Sequence, residues 1–354
     1  MGRLGLREGP LGSLRHTLMD EAGGPDELTK GPRSPWKLVL KALVTASVVA
    51  ALYFLVDFRA VAGRLAHASL PLCAAAIACS LVAVAIMAQR WRLIVRNDGA
   101  DPSFFDLYSC YLESTFFGLF LPSSVGGDLY RGVRIYGQLG GARRAAVNIL
   151  AERLIGVWGI CLLGMGGMII SGIYRTPLGR GLLAPYAAVL VVSALLVSKS
   201  AQRVVNSALR WARLGRIADM HDLALEQWQG YLRAPGLLAK LLALTVIQQG
   251  VASVSAYFMG SAAGLSLWFP FYLVAMPITW LASLVPALGG MGPREGTFAY
   301  LAIAAGADRQ GAVAAAGLFL ALNVTLGLVG GIIVLGRRVG GLLREGKRSS
   351  SQGE

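Results

Sequence analysis

At Pro122-Ser-Ser-Val-Gly126-Gly127-Asp128-Leu-Tyr-Arg131 the chain carries a pattern that returns at Pro286-Ala-Leu-Gly289-Gly290-Met-Gly292-Pro293-Arg294-Glu295. In both stretches a proline, a glycine pair and an arginine follow one another, inside or beside an apolar segment. Proline removes a backbone donor and glycine adds backbone freedom, so a helix cannot run unbroken through either stretch. Broken helices beside a charge, repeated in both halves of a membrane protein, are typical of a transporter's binding site.

The composition around these motifs is that of a membrane protein. Hydrophobic residues make up 55% of the chain and charged residues 15%, and the mean hydropathy is +0.59, which ordinary soluble domains do not show. The net charge of +14 does not by itself indicate nucleic acid, and we expect no nucleic-acid partner. Three scattered histidines and four cysteines without a CxxC pair give no metal site, and no GxxxxGK[ST] phosphate loop occurs. We therefore assign no cofactor.

Apolar segments long enough to cross a bilayer recur along the chain. A helix needs about 20 apolar residues to span the hydrocarbon core. Six stretches meet this length, at roughly 38–56, 69–88, 149–171, 182–198, 238–260 and 313–335. Two more apolar segments, roughly 104–122 and 269–288, end at the paired motifs.

The distribution of lysine and arginine predicts the orientation, because cytoplasmic loops carry an excess of both. If both motif-bearing segments crossed fully, the basic regions 123–148 and 199–240 would lie outside. If both segments dip in and return, every basic cluster stays inside, including Arg90, Arg92 and Arg96 in a loop after the second span. We therefore predict an all-α polytopic integral protein of the cell (inner) membrane. It has six full crossings, two re-entrant hairpins and both termini in the cytoplasm.

The two motif-bearing halves form a predicted inverted repeat, in which corresponding spans run in opposite directions. The glycine clusters Gly164/Gly166/Gly167 and Gly327/Gly330/Gly331 indicate close helix packing and no site. The predicted organisation has five parts: a polar cytoplasmic tail at 1–36, disordered at least in part; a first membrane half at 37–198 with the motif at 122–131; a cytoplasmic amphipathic linker at 199–236; a second membrane half at 237–338 with the motif at 286–295; and a basic cytoplasmic tail at 339–354.

Ionisable side chains in the apolar regions are the candidate site, because each costs about 2.5–3.5 kcal/mol to insert at membrane depth. A guanidinium fork matches phosphate, and a broken helix start adds partial positive charge. We interpret Arg131 and Arg294 as ligands of an anionic head group. Glu113 and Glu152 would balance them or bind an amine or sugar hydroxyl. The substrate-binding candidates are Glu113, Pro122, Gly126, Gly127, Asp128, Arg131, Glu152, Arg153, Pro286, Gly289, Gly290, Arg294 and Glu295.

Internal ion pairing is the alternative interpretation of the same charges, since buried pairs occur without any ligand. In that case Glu113 or Glu152 pairs with Arg131 or Arg153, and Arg294 pairs with its neighbour Glu295. The sequence leaves both interpretations open.

Three blocks of sequence resemble a known family. They are Phe117-Gly-Leu-Phe-Leu-Pro122-Ser-Ser-Val-Gly-Gly-Asp128-Leu-Tyr-Arg131, Asn148-Ile-Leu-Ala-Glu152-Arg153-Leu-Ile-Gly156 and Leu284-Val-Pro286-Ala-Leu-Gly-Gly-Met-Gly-Pro-Arg294-Glu295-Gly296. They are similar to the signatures of the lysylphosphatidylglycerol synthase transmembrane family, over about residues 38–340. The resemblance implies a flippase-like membrane domain. Some members stand alone, some are fused to a cytosolic aminoacyl-transferase, and others accompany polyprenyl-linked sugar or hopanoid pathways.

The expected function is transport of an anionic lipid or lipid-linked head group between leaflets. The chain ends at Glu354, so we expect a stand-alone membrane domain without a transferase domain and without synthase activity. We find no catalytic constellation and name no catalytic residue. The alternatives are an intramembrane enzyme and an accessory subunit of a lipid-modification or polyprenyl-linked glycan pathway. The expected partner is a membrane lipid, with a lipid-modifying enzyme or a second copy of the chain left open.

Overall fold

The regular structure of the described residues is helical, as the sequence predicts. The computed structural model describes residues 63–64, 66–120, 125–196, 198–212, 214–283 and 292–350. The predicted tail at 1–36, the predicted span at 38–56 and the candidates Pro122, Pro286, Gly289 and Gly290 lie outside the described residues.

Eleven α-helices and one 3-10 turn make up the described part of the chain. They are α1 Leu70–Asn97, α2 Phe104–Phe120, α3 Val125–Ile135, α4 Ala142–Ser171, the 3-10 turn Ile173–Arg175, α5 Pro177–Leu196, α6 Lys199–Trp211, α7 Gly215–Arg233, α8 Pro235–Ala262, α9 Phe269–Ala282, α10 Pro293–Ala304 and α11 Arg309–Ser350.

Four helices are long and apolar enough to cross a membrane. They are Leu70–Asn97, Ala142–Ser171, Pro235–Ala262 and, within α11, Arg309–Arg337. These coincide with four of the six predicted spans. The predicted span 182–198 falls on α5. The apolar part of α5, Gly179–Leu195, is shorter than the four helices above. The chain is therefore a multi-pass membrane protein, and the number of six crossings stays a prediction.

The end of α1 corrects the sequence interpretation. Arg90, Arg92 and Arg96 were expected in a loop, but the helix continues to Asn97 and Arg90 is only 4% exposed. Trp91, Ile94 and Val95 are fully buried at the spacing of one helical face. Burial of this apolar face explains why the helix continues through the three arginines, although they lower the mean hydropathy of the segment.

Two series of four helices follow the same order of lengths. In α1–α4 and again in α8–α11, a long helix, two shorter helices and another long helix follow one another. The leading helices α1 and α8 have 28 residues each, and each has a proline in its first turn, where a fixed φ and a missing N–H suit a helix start. α2 packs on α11, and α9 packs on α4. Each series therefore covers a helix of the other.

The leading helices of the two series lie antiparallel. The Ser80 and Ser255 hydroxyl oxygens are 2.8 Å apart. Further along α1 and earlier along α8, Arg90 donates to Thr245 Oγ1 at 2.9 Å. Residue numbers thus rise along one helix as they fall along the other.

The second and third helices of each series fold back on each other. In the first series, the Tyr130 ring stacks on Phe117 at 4.5 Å between centroids, and a Cβ at Gly127 would lie 2.9 Å from the Ser114 carbonyl oxygen. In the second series, Phe298 of α10 contacts the rings of Phe271 and Tyr272 of α9. Glycine at position 127 therefore permits the close approach of α3 to α2.

Glycines of α11 allow equally close packing against α2, as the glycine cluster predicts. A Cβ at Gly327 would overlap Leu119, one at Gly330 would overlap the Leu112 carbonyl, and one at Gly331 would lie 2.8 Å from the Phe116 ring. Small residues let helix backbones approach closely where lipid supplies no hydrophobic drive for association. The close contact of α2 with α11 therefore requires glycine at these three positions.

Gly330→Ala should lower the free energy of unfolding by about 1–3 kcal/mol, because the new methyl group forces α2 and α11 apart. Thermal unfolding of the purified protein in detergent measures the change. Gly317→Ala is the matched control in the same helix, since no atom lies within 4 Å of a Cβ there and alanine is the better helix former. Equal effects of the two substitutions would contradict this account.

The predicted linker at 199–236 is two helices with different environments. α6 leaves Val204 70% and Trp211 88% exposed, whereas α7 buries Trp228 and Tyr231 in the cluster shared with α1, α4 and α8. Asp222 of α7 accepts hydrogen bonds from two amides of α6, Gln202 at 2.8 Å and Asn206. These bonds hold the pKa of the Asp222 carboxyl below its usual value. α7 is therefore part of the core, and α6 keeps the amphipathic surface.

Candidate functional site

A buried carboxylate, Glu152 of α4, organises the polar interior of the first series. It accepts hydrogen bonds from Arg90 of α1, from the Tyr111 hydroxyl of α2 at 2.8 Å, and from Arg131 of α3 at 2.9 Å. One side chain from each of three helices thus converges on an acid of the fourth. Glu152 itself is 2% exposed, so it joins all four helices of the series at one point.

The guanidinium of Arg131 is held on every side. It lies 5.1 Å from the Trp91 ring centroid and 4.5 Å from that of Tyr111, within the range of cation–π attraction. It also pairs with Asp128, one turn earlier on α3, and Asp128 pairs in addition with Arg153 of α4. These contacts enclose the Arg131 side chain, which is 6% exposed.

A second buried carboxylate, Glu113 of α2, has different partners. The Tyr130 hydroxyl donates to its Oε2 at 2.6 Å, and Arg134 Nε lies 3.8 Å from the same oxygen. Arg337 Nε, from α11, lies 3.1 Å from Oε1. Glu113 is fully buried, whereas both arginine side chains are 38% exposed. This group therefore joins the two series at a boundary that ligands can reach.

Arg294 and Glu295 open α10 in the second series. Glu295 Oε2 accepts the backbone N–H of Gly292 at 2.8 Å, which caps the helix, and its Oε1 accepts from Arg294 at 2.6 Å. The other side of the Arg294 guanidinium donates to Asn323 Oδ1 of α11 at 3.1 Å. Gly292 has a φ of +96°, which favours glycine at the residue where the backbone turns into the helix.

A cavity of about 150 Å³ lies beside Arg294, between α1, α8, α9, α10 and α11. Its polar lining residues are Ser80, Ser255, Thr279, Arg294, Glu295 and Asn323. Aromatic and aliphatic side chains complete the wall. A cavity of this size admits a phosphate-sized group with water. The Arg294 side chain is 26% exposed and that of Arg131 is 6%, so Arg294 is the more exposed of the two motif arginines.

The structure sorts the predicted candidates into three groups. Asp128, Arg131, Glu152 and Arg153 form one cluster; Glu113 lies in another; Arg294 and Glu295 form the third. Gly126 and Gly127 lie in the first turn of α3. The candidates Pro122, Pro286, Gly289 and Gly290 lie outside the described residues.

The open alternative of internal pairing describes several of these contacts. Arg131 pairs with Glu152, and Arg294 pairs with Glu295. These contacts pair each of the four charges within the protein.

Sequence reasoning missed four polar partners: Arg90, Tyr111, Arg134 and Arg337. For Arg90 a signal existed, since Trp91, Ile94 and Val95 continue the apolar face beyond it. For Arg337 none did. Its contact with Ser109, one turn from Glu113, joins residues 228 positions apart, and such a distance leaves no trace in local patterning.

Apolar helices that bury ion pairs between them define a multi-pass membrane protein with a polar interior. Residues 38–331 match the family described as the lysylphosphatidylglycerol synthase TM region, which is more than half of the chain. The protein belongs to this family, and the match confirms the resemblance of the motif blocks. A comparison with curated proteins finds no match.

Proposed function

We propose that this protein moves a lipid with an anionic head group, or a lipid-linked head group, between the leaflets of the cell membrane without altering it chemically. The observation that carries the proposal is the cavity beside Arg294. Its polar lining consists of a partly exposed guanidinium, the Glu295 carboxylate paired with it, an amide and three hydroxyls, all among apolar helices. Polar groups inside a membrane protein mark substrate paths, and a guanidinium fork suits the oxygens of a phosphodiester.

The helix lengths support re-entrant hairpins at both motifs. α2, α3, α9 and α10 have 17, 11, 14 and 12 residues, or about 16–26 Å of helix at 1.5 Å per residue. The hydrocarbon core is about 30 Å thick. Short helices that fold back in pairs support two segments that dip into the membrane and return. With them we propose six full crossings and both termini in the cytoplasm, as the distribution of basic residues predicts.

The antiparallel packing of α1 and α8 supports an inverted repeat. The two series have the same helix order, and each contributes a helix to the other. In transporters built from inverted repeats, the site lies where the repeats meet near mid-depth. The cavity lies at such a meeting, because α1 comes from one series and the other four lining helices come from the other.

The two motif arginines, Arg131 and Arg294, have different roles in this mechanism. Arg294 contacts the head group, while Arg131 holds the first hairpin against α1 and α4 through Glu152. The acyl chains stay in lipid. The sequence has no phosphate-binding loop for a nucleotide, so the movement runs downhill or is coupled to an ion. The family's name refers to a phosphatidylglycerol derivative, and a lipid of this type is the first substrate to test.

Translocation in proteoliposomes tests the proposal. Phosphatidylglycerol and phosphatidylcholine, each labelled on one acyl chain, are followed with an impermeant reductant that bleaches only the outer leaflet. We expect faster exchange of phosphatidylglycerol than of phosphatidylcholine, relative to vesicles without protein. No acceleration for phosphatidylglycerol, its lysyl derivative or a polyprenyl phosphate would overturn the proposal, and so would chemical conversion of these lipids.

A further inference from the structure

Two arginines from different helix series meet at one carboxylate, and the proposed path does not use them. Arg134 belongs to the last turn of α3, and Arg337 lies in α11. Their Nε atoms approach opposite oxygens of Glu113, at 3.8 Å and 3.1 Å. Arg337 lies 14 residues beyond Asn323, or about 21 Å along α11 at 1.5 Å per residue. This group is therefore well separated from the cavity beside Arg294.

Neither guanidinium is saturated by this carboxylate. A separation of 3.8 Å is an ion pair without a good hydrogen bond, and each guanidinium has several N–H donors. Arg337 also approaches Asp106 at 3.8 Å and donates to the Ser109 hydroxyl at 2.6 Å. Both arginine side chains are 38% exposed, so each is accessible from outside the protein.

Open space adjoins Arg134, and Asp106, which lies 3.8 Å from Arg337, also lines it. A cavity of about 210 Å³ is lined by Pro102, Asp106, Leu107, Cys110, Arg134, Ile135 and Gln138. Pockets that enclose a drug-sized molecule are about 300–1,000 Å³. This smaller space suits a head group whose acyl chains lie outside it.

We infer that Arg134 and Arg337 form a second anion site, for the phosphodiester of a lipid head group, and that Glu113 takes the anion's place while the site is empty. The inference rests on the proposed function and adds a docking position about 21 Å along α11 from the cavity beside Arg294. Phosphate accepts from two arginine forks at once. A bound head group replaces the internal carboxylate as the partner of both series, which couples its arrival to the α2–α11 contact.

The substitution of Glu113 should raise the affinity for an anionic lipid, whereas substitution of either arginine should lower it. Glu113→Gln keeps the size of the side chain and removes the competing charge, so it should tighten binding of an anionic lipid about tenfold. Arg134→Gln and Arg337→Gln should each weaken it about tenfold, since each removes one charged donor. A purely structural Glu113 would give no gain in affinity.

Calorimetric titration of the purified full-length protein with dioctanoyl phosphatidylglycerol measures these affinities. Arg143→Gln is the matched control, because this arginine is 57% exposed and lies 3.9 Å from Asp219 in an ion pair away from the site. It should bind as the wild type does. Thermal unfolding of each variant confirms that the protein remains folded.

Two further ligands identify the source of the phosphate. Dioctanoyl phosphatidylcholine should bind more weakly than the anionic lipid, because its choline cation opposes the second guanidinium. Inorganic phosphate should bind weakly too, since it lacks acyl chains. Phosphate that binds as tightly as phosphatidylglycerol would overturn the assignment to a lipid head group. Unchanged or weaker lipid binding by folded Glu113→Gln would overturn the site.

This outcome is independent of the translocation assay. Arg294→Ala should retain the response of binding to Glu113→Gln, because the two sites are about 21 Å apart along α11. A wild type that binds in this pattern but moves no lipid would reject the transport proposal and leave the anion site in place. Lipid binding that is abolished by Arg294→Ala and indifferent to Arg337→Gln would reject the anion site alone.

Discussion

Glu152→Ala should lower the free energy of unfolding by about 3–5 kcal/mol, the usual cost of breaking a buried ion pair by removing one partner. The substitution leaves Arg90 and Arg131 without their shared carboxylate, and both side chains are about 5% exposed. It also deprives the Tyr111 hydroxyl of its acceptor. Thermal or denaturant unfolding in detergent measures the loss, and reduced yield of folded protein should accompany it.

The companion variants separate charge from shape. Glu152→Gln keeps an acceptor oxygen for Tyr111 and should fall between the wild type and Glu152→Ala. Glu226→Ala is the control, since this glutamate of α7 is exposed, and surface substitutions change stability by only about 0.5 kcal/mol. If Glu152→Ala were as stable as Glu226→Ala, the network would not hold the first series together.

Arg294→Ala should slow lipid translocation at least about 30-fold, because losing one partner of a partly buried, hydrogen-bonded charge pair costs about 2 kcal/mol or more. The variant removes the guanidinium from the cavity wall and leaves Glu295 with its backbone cap at Gly292. The cavity then presents an unneutralised carboxylate, which repels an anionic head group. The proteoliposome assay measures the rate, with protein amount matched between preparations.

The conservative variant and a distant control sharpen the interpretation. Arg294→Lys keeps the charge and loses the fork that reaches Glu295 and Asn323 together, so partial activity is expected. Arg309→Ala, at the exposed start of α11, should move lipid at the wild-type rate. If folded Arg294→Ala also did so, Arg294 would have no part in the transport.

Local sequence patterns foretold the helices but not their contacts. Long apolar runs predicted α1, α4, α8 and the first part of α11, because membrane insertion depends on summed hydrophobicity along a short segment. The paired motifs predicted breaks, and the helices on either side of each break fold back on one another. The predicted end of α1 was wrong. Mean hydropathy falls at Arg90, Arg92 and Arg96, although the buried face of the helix continues through Trp91, Ile94 and Val95.

The candidate site was predictable as a set of residues and not as an arrangement. The sequence named Glu113, Glu152, Arg131 and Arg294 as charges at depth, yet it could not divide them into a saturated cluster and a reachable one. That division depends on Trp91 and Tyr111, which enclose Arg131, and on Arg337, which arrives from the end of the chain. Pairings over such distances are fixed by tertiary packing alone.

The network around Glu152 also sets an order of events during biosynthesis. Arg90 precedes Glu152 by 62 residues, an interval of about 3–12 s at ribosomal rates of about 5–20 residues per second. Throughout that interval the nascent α1 has a guanidinium near the end of its apolar run and no carboxylate from α4 to neutralise it. We expect water and lipid phosphates at the membrane surface to serve that charge first, and α1 to reach its final depth only when α4 emerges from the ribosome.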